Sequence, residues 1–311
     1  MSAPAPTPAR HHGYLEGVDG LRLHYRSWEP AEPLAAAMLV HDLGEHGGLY
    51  APLGERLANL GVAALAPDLR GHGRSDGRRG HVARFETFLQ DLDRLRCETR
   101  ALAGPGSPLF LFGAGLGGLV VLRYLQEFHS PVDGAVVVAP WLVGPPLLPA
   151  AASLARTLGR VLPSLRLKAG IGRARGLRSP AAGAPPADDP LAHDCFTPRF
   201  YREAAAAAAQ VVRRRGRIST PLLVLLPDDD RGADPERPAA LLSTLDHPAL
   251  EVRRWKGGRP DRLAGTAAEP LLAAVMAWLT DRIAQFAAET AVGAGTGLAL
   301  RGSAEHTMAR P

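Results

Sequence analysis

The stretch Pro108–Leu125, PLFLFGAGLGGLVVLRYL, decides the fold. Leu109–Phe112 is a continuous apolar run, the composition of a parallel strand covered on both faces. Gly117–Gln126 reads as a helix. The two are joined by a glycine-rich link, Gly113-Ala114-Gly115-Leu116-Gly117. Strand, tight link and helix make the repeating unit of an α/β protein.

Working outward, further short apolar runs occur at Ala37–His41, Val62–Ala66, Ala135–Val138 and Leu222–Leu226, with a last strand candidate at Leu250–Trp255. Helical patterns separate them: Phe85, Phe88, Leu89, Leu92 and Leu95 repeat at helical spacing, and Leu271–Ala287 is long and amphipathic. A hairpin over Gly13–Trp28, turning at Asp19-Gly20, starts the sheet in antiparallel fashion. The alternation predicts a mostly parallel twisted sheet with helices on both faces.

Between Pro140 and Pro221 the alternation stops. Helical pieces such as Leu154–Leu162 and a Pro/Gly/Ala loop around Ser179–Pro190 read as a cap over the sheet, and Ala204–Ala208 is low-complexity helix. Leu154, Leu158, Val161, Leu162 and Leu165 share one helix side, away from Arg156 and Arg160. That side is either packed on the core or presented to lipid. The expected organisation is a disordered lead-in over 1–12, core over 13–140, helical cap over 141–218, core again over 219–289, and a flexible tail over 290–311.

Hydrophobic residues make up 46% of the 311 and charged residues 22%, as in an ordinary globular protein. No run of eighteen apolar residues exists, so no membrane-spanning helix is expected, and the Pro/Ala-rich start is not a signal peptide. Two cysteines, Cys97 and Cys195, without a CxxC indicate neither a disulfide framework nor a zinc site, and a cytoplasmic location follows. The net charge of +5 reflects arginine runs at Arg213–Arg217 and Arg166–Arg178. These read as solvated helix ends and loops, with a weak contact with an anionic membrane surface through the cap as the sharper alternative. Without interleaved aromatics they do not suit nucleic acid.

Three stretches then carry a resemblance: HDLGEHGGLY (His41–Tyr50), APDLRGHGRSDGRRGHVARFETFLQDLD (Ala66–Asp93), and the opening stretch itself. Together with DPLAHD (Asp189–Asp194), PLLVLLPDDDRGADP (Pro221–Pro235) and WKGGRPDRLAG (Trp255–Gly265), they resemble the monoacylglycerol lipase (lysophospholipase-like) family over about 250 residues. The resemblance implies an α/β-hydrolase fold, no cofactor or metal, and a serine nucleophile in a G-x-S-x-G elbow with histidine and acid partners.

The site positions depart from that wording. Gly115 stands where the serine is expected and Pro260 where the histidine is expected, while Asp230 matches the acid. Glycine has no nucleophilic atom and proline no base. Asp42 replaces the glycine after the first histidine, placing a carboxylate in the oxyanion region beside Leu116, whose N–H is one expected donor. His41, Leu43 and Ala114 are candidates to line a pocket, and His41 and His46 have structural roles.

No replacement triad is visible. Gly73-Arg74-Ser75-Asp76-Gly77 satisfies G-x-S-x-G but follows a Gly/His loop rather than a strand, so Ser75 is expected to be a turn residue. His247 precedes the last strand, at the wrong end of the sheet, and Cys97 lies within a helix without a base. Loss of nucleophile or base alone costs about 10⁶-fold in turnover in a serine-protease triad. The expected function is therefore a catalytically defective hydrolase, binding an acyl or ester-like molecule or a protein partner. The alternative is an active serine-type carboxylic ester hydrolase using other residues. Oligomeric state is left open.

Overall fold

The apolar runs become the central strands, each extended by a residue or two. The computed structural model describes residues 8–128, 132–142, 153, 155, 157–159, 161–168, 189–214, 217–227, 247, 249–255 and 269–305. Eight strands form one sheet: β1 (Ala9–Glu16), β2 (Arg22–Glu29), β3 (Ala35–Val40), β4 (Val62–Pro67), β5 (Leu109–Ala114), β6 (Gly134–Val138), β9 (Leu222–Pro227) and β10 (Leu250–Trp255). Their order is β1-β2-β4-β3-β5-β6-β9-β10. The pairings β1·β2 and β2·β4 are antiparallel, and all others in the sheet are parallel. The order reverses between β3 and its neighbours β4 and β5, so the loops leaving β3 and β5 meet over the carboxyl ends of the strands. In open α/β sheets that crevice is the usual place for a ligand.

Successive side chains of each inner strand enter opposite cores. Met38 and Val40 of β3, Leu111 of β5 and Val224 of β9 join one cluster, while Ala37, Leu39, Phe112 and Leu225 join the other. The first core is closed by α2 (Glu86–Ala101), α3 (Leu116–Glu127) and α4 (Pro198–Arg213), the second by α1 (Ala51–Asn59) and α5 (Glu269–Glu305). Each fully buried Leu, Val or Phe contributes about 1.5–3 kcal/mol relative to exposure, which is why apolar runs of this kind become central strands. The α4 helix starts where Pro198 follows Thr197, whose hydroxyl accepts from the Phe200 N–H at 3.3 Å.

Four expectations change. The lead-in expected over 1–12 is already strand from Ala9, because the main chain of β1 pairs with β2 along its whole length. Its first four side chains are exposed and carry no apolar alternation, so the pattern gave no sign of it. At the other end, α5 continues through Glu305, past the tail expected from 290. Between β6 and β9 lies a two-residue antiparallel pairing, β7 (Leu167–Lys168) with β8 (Cys195–Phe196), where no strand was expected. Finally, Glu269–Ala291 is long and apolar enough to cross a membrane by length and composition alone. Its Leu271, Leu272, Val275, Trp278 and Leu279 are buried in the second core, while only 28% of the apolar window as a whole is buried.

Candidate active site

Gly115 ends β5 and opens α3 with φ 52° and ψ −113°. This is a left-handed conformation that a side-chain-bearing residue adopts only under strain, and glycine takes it at little cost. The elbow is pinned on three sides. Its N–H donates to the Val138 carbonyl at 3.0 Å, and its own carbonyl accepts from Leu119 N–H at 3.1 Å and Trp141 N–H at 3.3 Å.

Asp42 fills the space beside it. A Cβ built on Gly115 would overlap the Asp42 carboxyl carbon and both carboxylate oxygens. Asp42 Oδ1 accepts from the main-chain N–H of Leu43 and from that of Leu116, each at 2.7 Å. The second of these is the amide after the elbow residue, and the first comes from the loop after β3. These are the positions from which α/β-hydrolases aim two donors at an oxyanion. Here both donors end on an internal carboxylate. Because no side chain caps α3 from its own N-cap position, Asp42 serves as the cap from 74 residues away. An anion at a helix N-terminus is also favoured by the helix dipole.

The rest of Asp42 is equally fixed. Its N–H donates to Glu45 Oε2 at 3.3 Å, and its carbonyl accepts from His41 Nδ1 at 2.7 Å. Since Leu69 N–H donates to His41 Nε2 at 2.9 Å, that imidazole is neutral with its proton on Nδ1. Burial pushes His41 down to about 4, which agrees with the neutral form. His41 and Ala114, expected to line a pocket, are both fully buried, one bonded through both ring nitrogens and the other packed in the second core. Leu43 is buried too, and its contribution is its main-chain N–H rather than its side chain. The apolar void lined by Ala37, Leu53, Phe110, Val136, Val275 and Leu279 contains none of the elbow residues.

Three histidine rings meet in a tilted cluster. The rings of His41 and His72 lie 5.1 Å apart, and those of His72 and His193 lie 4.7 Å apart. His193 lies in the segment just before β8. Its N–H donates to the Gly44 carbonyl at 2.9 Å, and a side chain at Gly44 would strike its carbonyl. In the same segment Asp189 accepts from His46 Nε2 at 2.7 Å. The sequence singled out neither His72 nor His193. Their presence in the resembling stretches GHG and DPLAHD was the available signal.

Ser75 is a turn residue. Its Oγ accepts from His24 N–H at 2.8 Å and donates to the Asp68 carbonyl. Asp68 gathers the loop further, accepting from His24 Nδ1 at 3.0 Å, Gly47 N–H at 2.7 Å and Arg74 N–H at 2.8 Å. Burial alone would raise this carboxyl, but those donors hold it at about 2. His247 bonds to Thr220 and Ala249, at the amino ends of β9 and β10 and thus far from the elbow. Cys97 is exposed on α2. Among the described residues, no group of three or more His, Cys, Asp or Glu is placed to hold a metal. Asp230 and Pro260 lie outside the described residues.

Residues 31–259 match the family model described as "Serine aminopeptidase, S33". The chain belongs to that family. Among members and relatives, it is 28% identical over 218 residues to a monoacylglycerol lipase of Mycolicibacterium smegmatis, covering 69% of this chain and 77% of that protein. An uncharacterized abhydrolase domain-containing protein of Dictyostelium discoideum is 27% identical over 270 residues, 84% of this chain but 28% of its own length. The crystal structure of Paleococcus ferrophilus monoacylglycerol lipase superimposes with a TM-score of 0.73 at 29% identity, covering 84% of this chain and 99% of that one. The α/β-hydrolase fold, resembling that of the monoacylglycerol lipases, is thereby secured for this family member.

Proposed function

We propose that this chain is a family member that no longer transfers acyl groups and whose remaining role is binding, of an acyl or ester-like small molecule or of a partner. The observation that carries this reading is the Asp42 carboxylate bonded to both Leu43 and Leu116 N–H beside a glycine elbow. Acyl transfer needs a nucleophilic atom at the elbow and two open donors for the developing oxyanion. Gly115 supplies no such atom, and Asp42 already occupies the donors. The sequence adds Pro260 at the histidine position, leaving Asp230 an acid with no imidazole to orient. A cytoplasmic setting accords with two free thiols, Cys97 and Cys195.

The test is ester hydrolysis with a short-chain nitrophenyl ester and a monoacylglycerol, alongside labelling by a fluorophosphonate. The natural chain is expected to be silent in both. The triple variant Asp42→Gly, Gly115→Ser, Pro260→His is expected to gain turnover and label. Hydrolysis well above buffer that copurifies with the natural chain, or a stoichiometric adduct on one of its serines, would establish the alternative of an active ester hydrolase.

A specific observation also favours weak contact with an anionic membrane surface. Val161, Leu162 and Leu165 of the cap are 73%, 50% and 43% exposed, and Arg166 and Lys168 follow on the same exposed segment. Apolar side chains beside basic ones suit a lipid interface. Co-sedimentation with anionic vesicles that fades as salt rises is the expected result. Salt-independent absence of binding removes this contact from the reading.

A further inference from the structure

Residues 189–197 lie across two loops, and their main chain seats closely on both. The His193 N–H donates to the Gly44 carbonyl and the Thr197 N–H to the Gly80 carbonyl, each at 2.9 Å. A Cβ on Gly44 would overlap the His193 carbonyl, and one on Gly80 would overlap the Cys195 carbonyl. Only glycine permits an approach this close. Gly44 belongs to the loop after β3, which also carries Asp42, and Gly80 belongs to the loop after β4.

Three imidazoles fasten the segment further. His46 Nε2 donates to Asp189 Oδ2 at 2.7 Å, and His81 Nδ1 meets the Thr197 hydroxyl at 2.8 Å. His193 closes the middle. Its Nε2 donates to the Gly71 carbonyl at 3.2 Å, and its Nδ1 accepts from the Cys195 N–H at 3.4 Å. The buried Cys195 Sγ lies 3.5 Å from the same nitrogen. The seated ring is therefore neutral, and a proton on Nδ1 would face a donor where it now has one to accept from.

The surroundings oppose that proton as well. Arg166 donates to Cys195 Sγ at 3.5 Å, and it and Arg79 are the cations acting on His193. His72 lies against the ring at 4.7 Å and is wholly buried, with His41 beyond it. The neighbouring carboxylates are engaged elsewhere: Asp189 by His46, and Asp68, which acts on His41, by His24, Gly47 and Arg74. Asp194, next in the chain, is exposed. His81 faces Arg78 and Arg199. Burial above all, with Arg79 and Arg166, lowers His193 to about 4.

We propose that residues 189–197 form an acid-released strap: a proton on His193 breaks its hold on Cys195, and the strap lifts off Gly44 and Gly80 while the sheet stays folded. The released ring takes up a proton below about 6.5 and the seated ring only near 4, so acid favours release between those values. From pH 7.5 to pH 5 the released fraction grows about 30-fold through His193 alone. Cys195, buried in the seated strap, becomes accessible on release.

The experiment labels the full chain with dithiodipyridine at pH 7.5, 6 and 5 and takes the rate at Cys195 relative to that at exposed Cys97. The ratio cancels the slowing that acid imposes on every thiol. Hydrogen exchange of the β5 amides, read in parallel by mass spectrometry, reports whether the sheet is intact. The expected result is a ratio that rises about 30-fold from pH 7.5 to pH 5 with β5 still protected. His193→Gln, whose side-chain amide can donate to Gly71 and accept from Cys195 without titrating, is expected to lose most of that rise. Gly80→Ala, which crowds the Cys195 carbonyl, is expected to label fast at every pH. A ratio independent of pH overturns the proposal, and so does a rise accompanied by loss of protection in β5. An equal rise in His193→Gln, or a Cys195 still shielded in Gly80→Ala, overturns it too. None of these readouts involves ester hydrolysis, so the outcome is separate from the reading of the elbow.

Discussion

Gly115 and Asp42 are matched by shape: the carboxylate of one lies in the volume where the other would carry a side chain. Their pairing makes the effects of substitution at the two sites interdependent. Gly115→Ser alone forces a left-handed backbone on a non-glycine residue and an overlap with Asp42. We expect it to destabilise the fold by about 2–4 kcal/mol, from strain and overpacking together. Adding Asp42→Gly removes the overlap and recovers part of the loss. Urea denaturation of the four members of the cycle measures this, and strict additivity would show that the two positions do not meet.

Asp42→Ala should cost about 1–3 kcal/mol, because it strips the α3 N-terminus of its cap and leaves the Leu43 and Leu116 N–H groups without their acceptor. Millimolar formate or acetate should restore part of the lost melting temperature in Asp42→Gly by refilling the vacated donors, and should leave the natural chain unmoved.

Acid should loosen the histidine cluster before it reaches the carboxylates. His41 and His193 both titrate at about 4 in the folded chain, lowered first of all by burial, and burial also holds His72 well below its usual range. A folded value below the unfolded value of about 6.5 means that the unfolded chain takes up protons first as pH falls. The stability these groups contribute is therefore complete above about 6.5 and lost progressively toward about 4. Asp68, held at about 2, follows over the range from its unfolded value of 3.8 downward. Unfolding free energies at pH 7.5, 5.5 and 4.5 should fall in that order. A flat profile across those three points would contradict the neutral histidine cluster.

Arg70 clamps the loop after β4 to α2 and to the first hairpin. Its Nε and Nη2 bond Asp91 at 2.6 and 2.8 Å, and Nη1 bonds Asp19 at 2.7 Å. Asp91 is almost wholly buried. Arg70→Ala leaves that carboxylate without its partner and should cost about 3–5 kcal/mol. Arg70→Lys loses the fork geometry and should recover only part of this. Thermal melts of the two variants test the order.

Ser75→Ala should lower stability by about 1–2 kcal/mol, since the hydroxyl joins β2 to the Asp68 loop. It should leave fluorophosphonate labelling of the triple variant unchanged. Loss of label in that background would make Ser75 a reacting serine after all.

The sheet could be read from the chain because β3, β4, β5, β6 and β9 are buried on both faces, and such strands show as unbroken apolar runs. The first strand was read from Gly13 onward as half of a hairpin, but its start at Ala9 was not, because the side chains of residues 9–12 are exposed while their main chain does the pairing. The elbow could be placed because it depends on adjacent residues, Gly113 to Gly117. The seat of Asp42 could not, since it is set by a contact across 74 positions. The residue type placed a carboxylate in the oxyanion region, but not that it would accept from both donors itself. The histidine cluster joins residues 41, 72 and 193 and leaves no local pattern.

The close fit at the elbow acts as a ratchet on descent. From the present sequence, a serine arriving at Gly115 meets a carboxylate, and a glycine arriving at Asp42 uncaps a helix without supplying a nucleophile. Neither intermediate is better off than its parent in fold or in ester chemistry. On the proposed reading, a lineage with this arrangement is held there by its own packing, and serine chemistry requires several changes to arrive together.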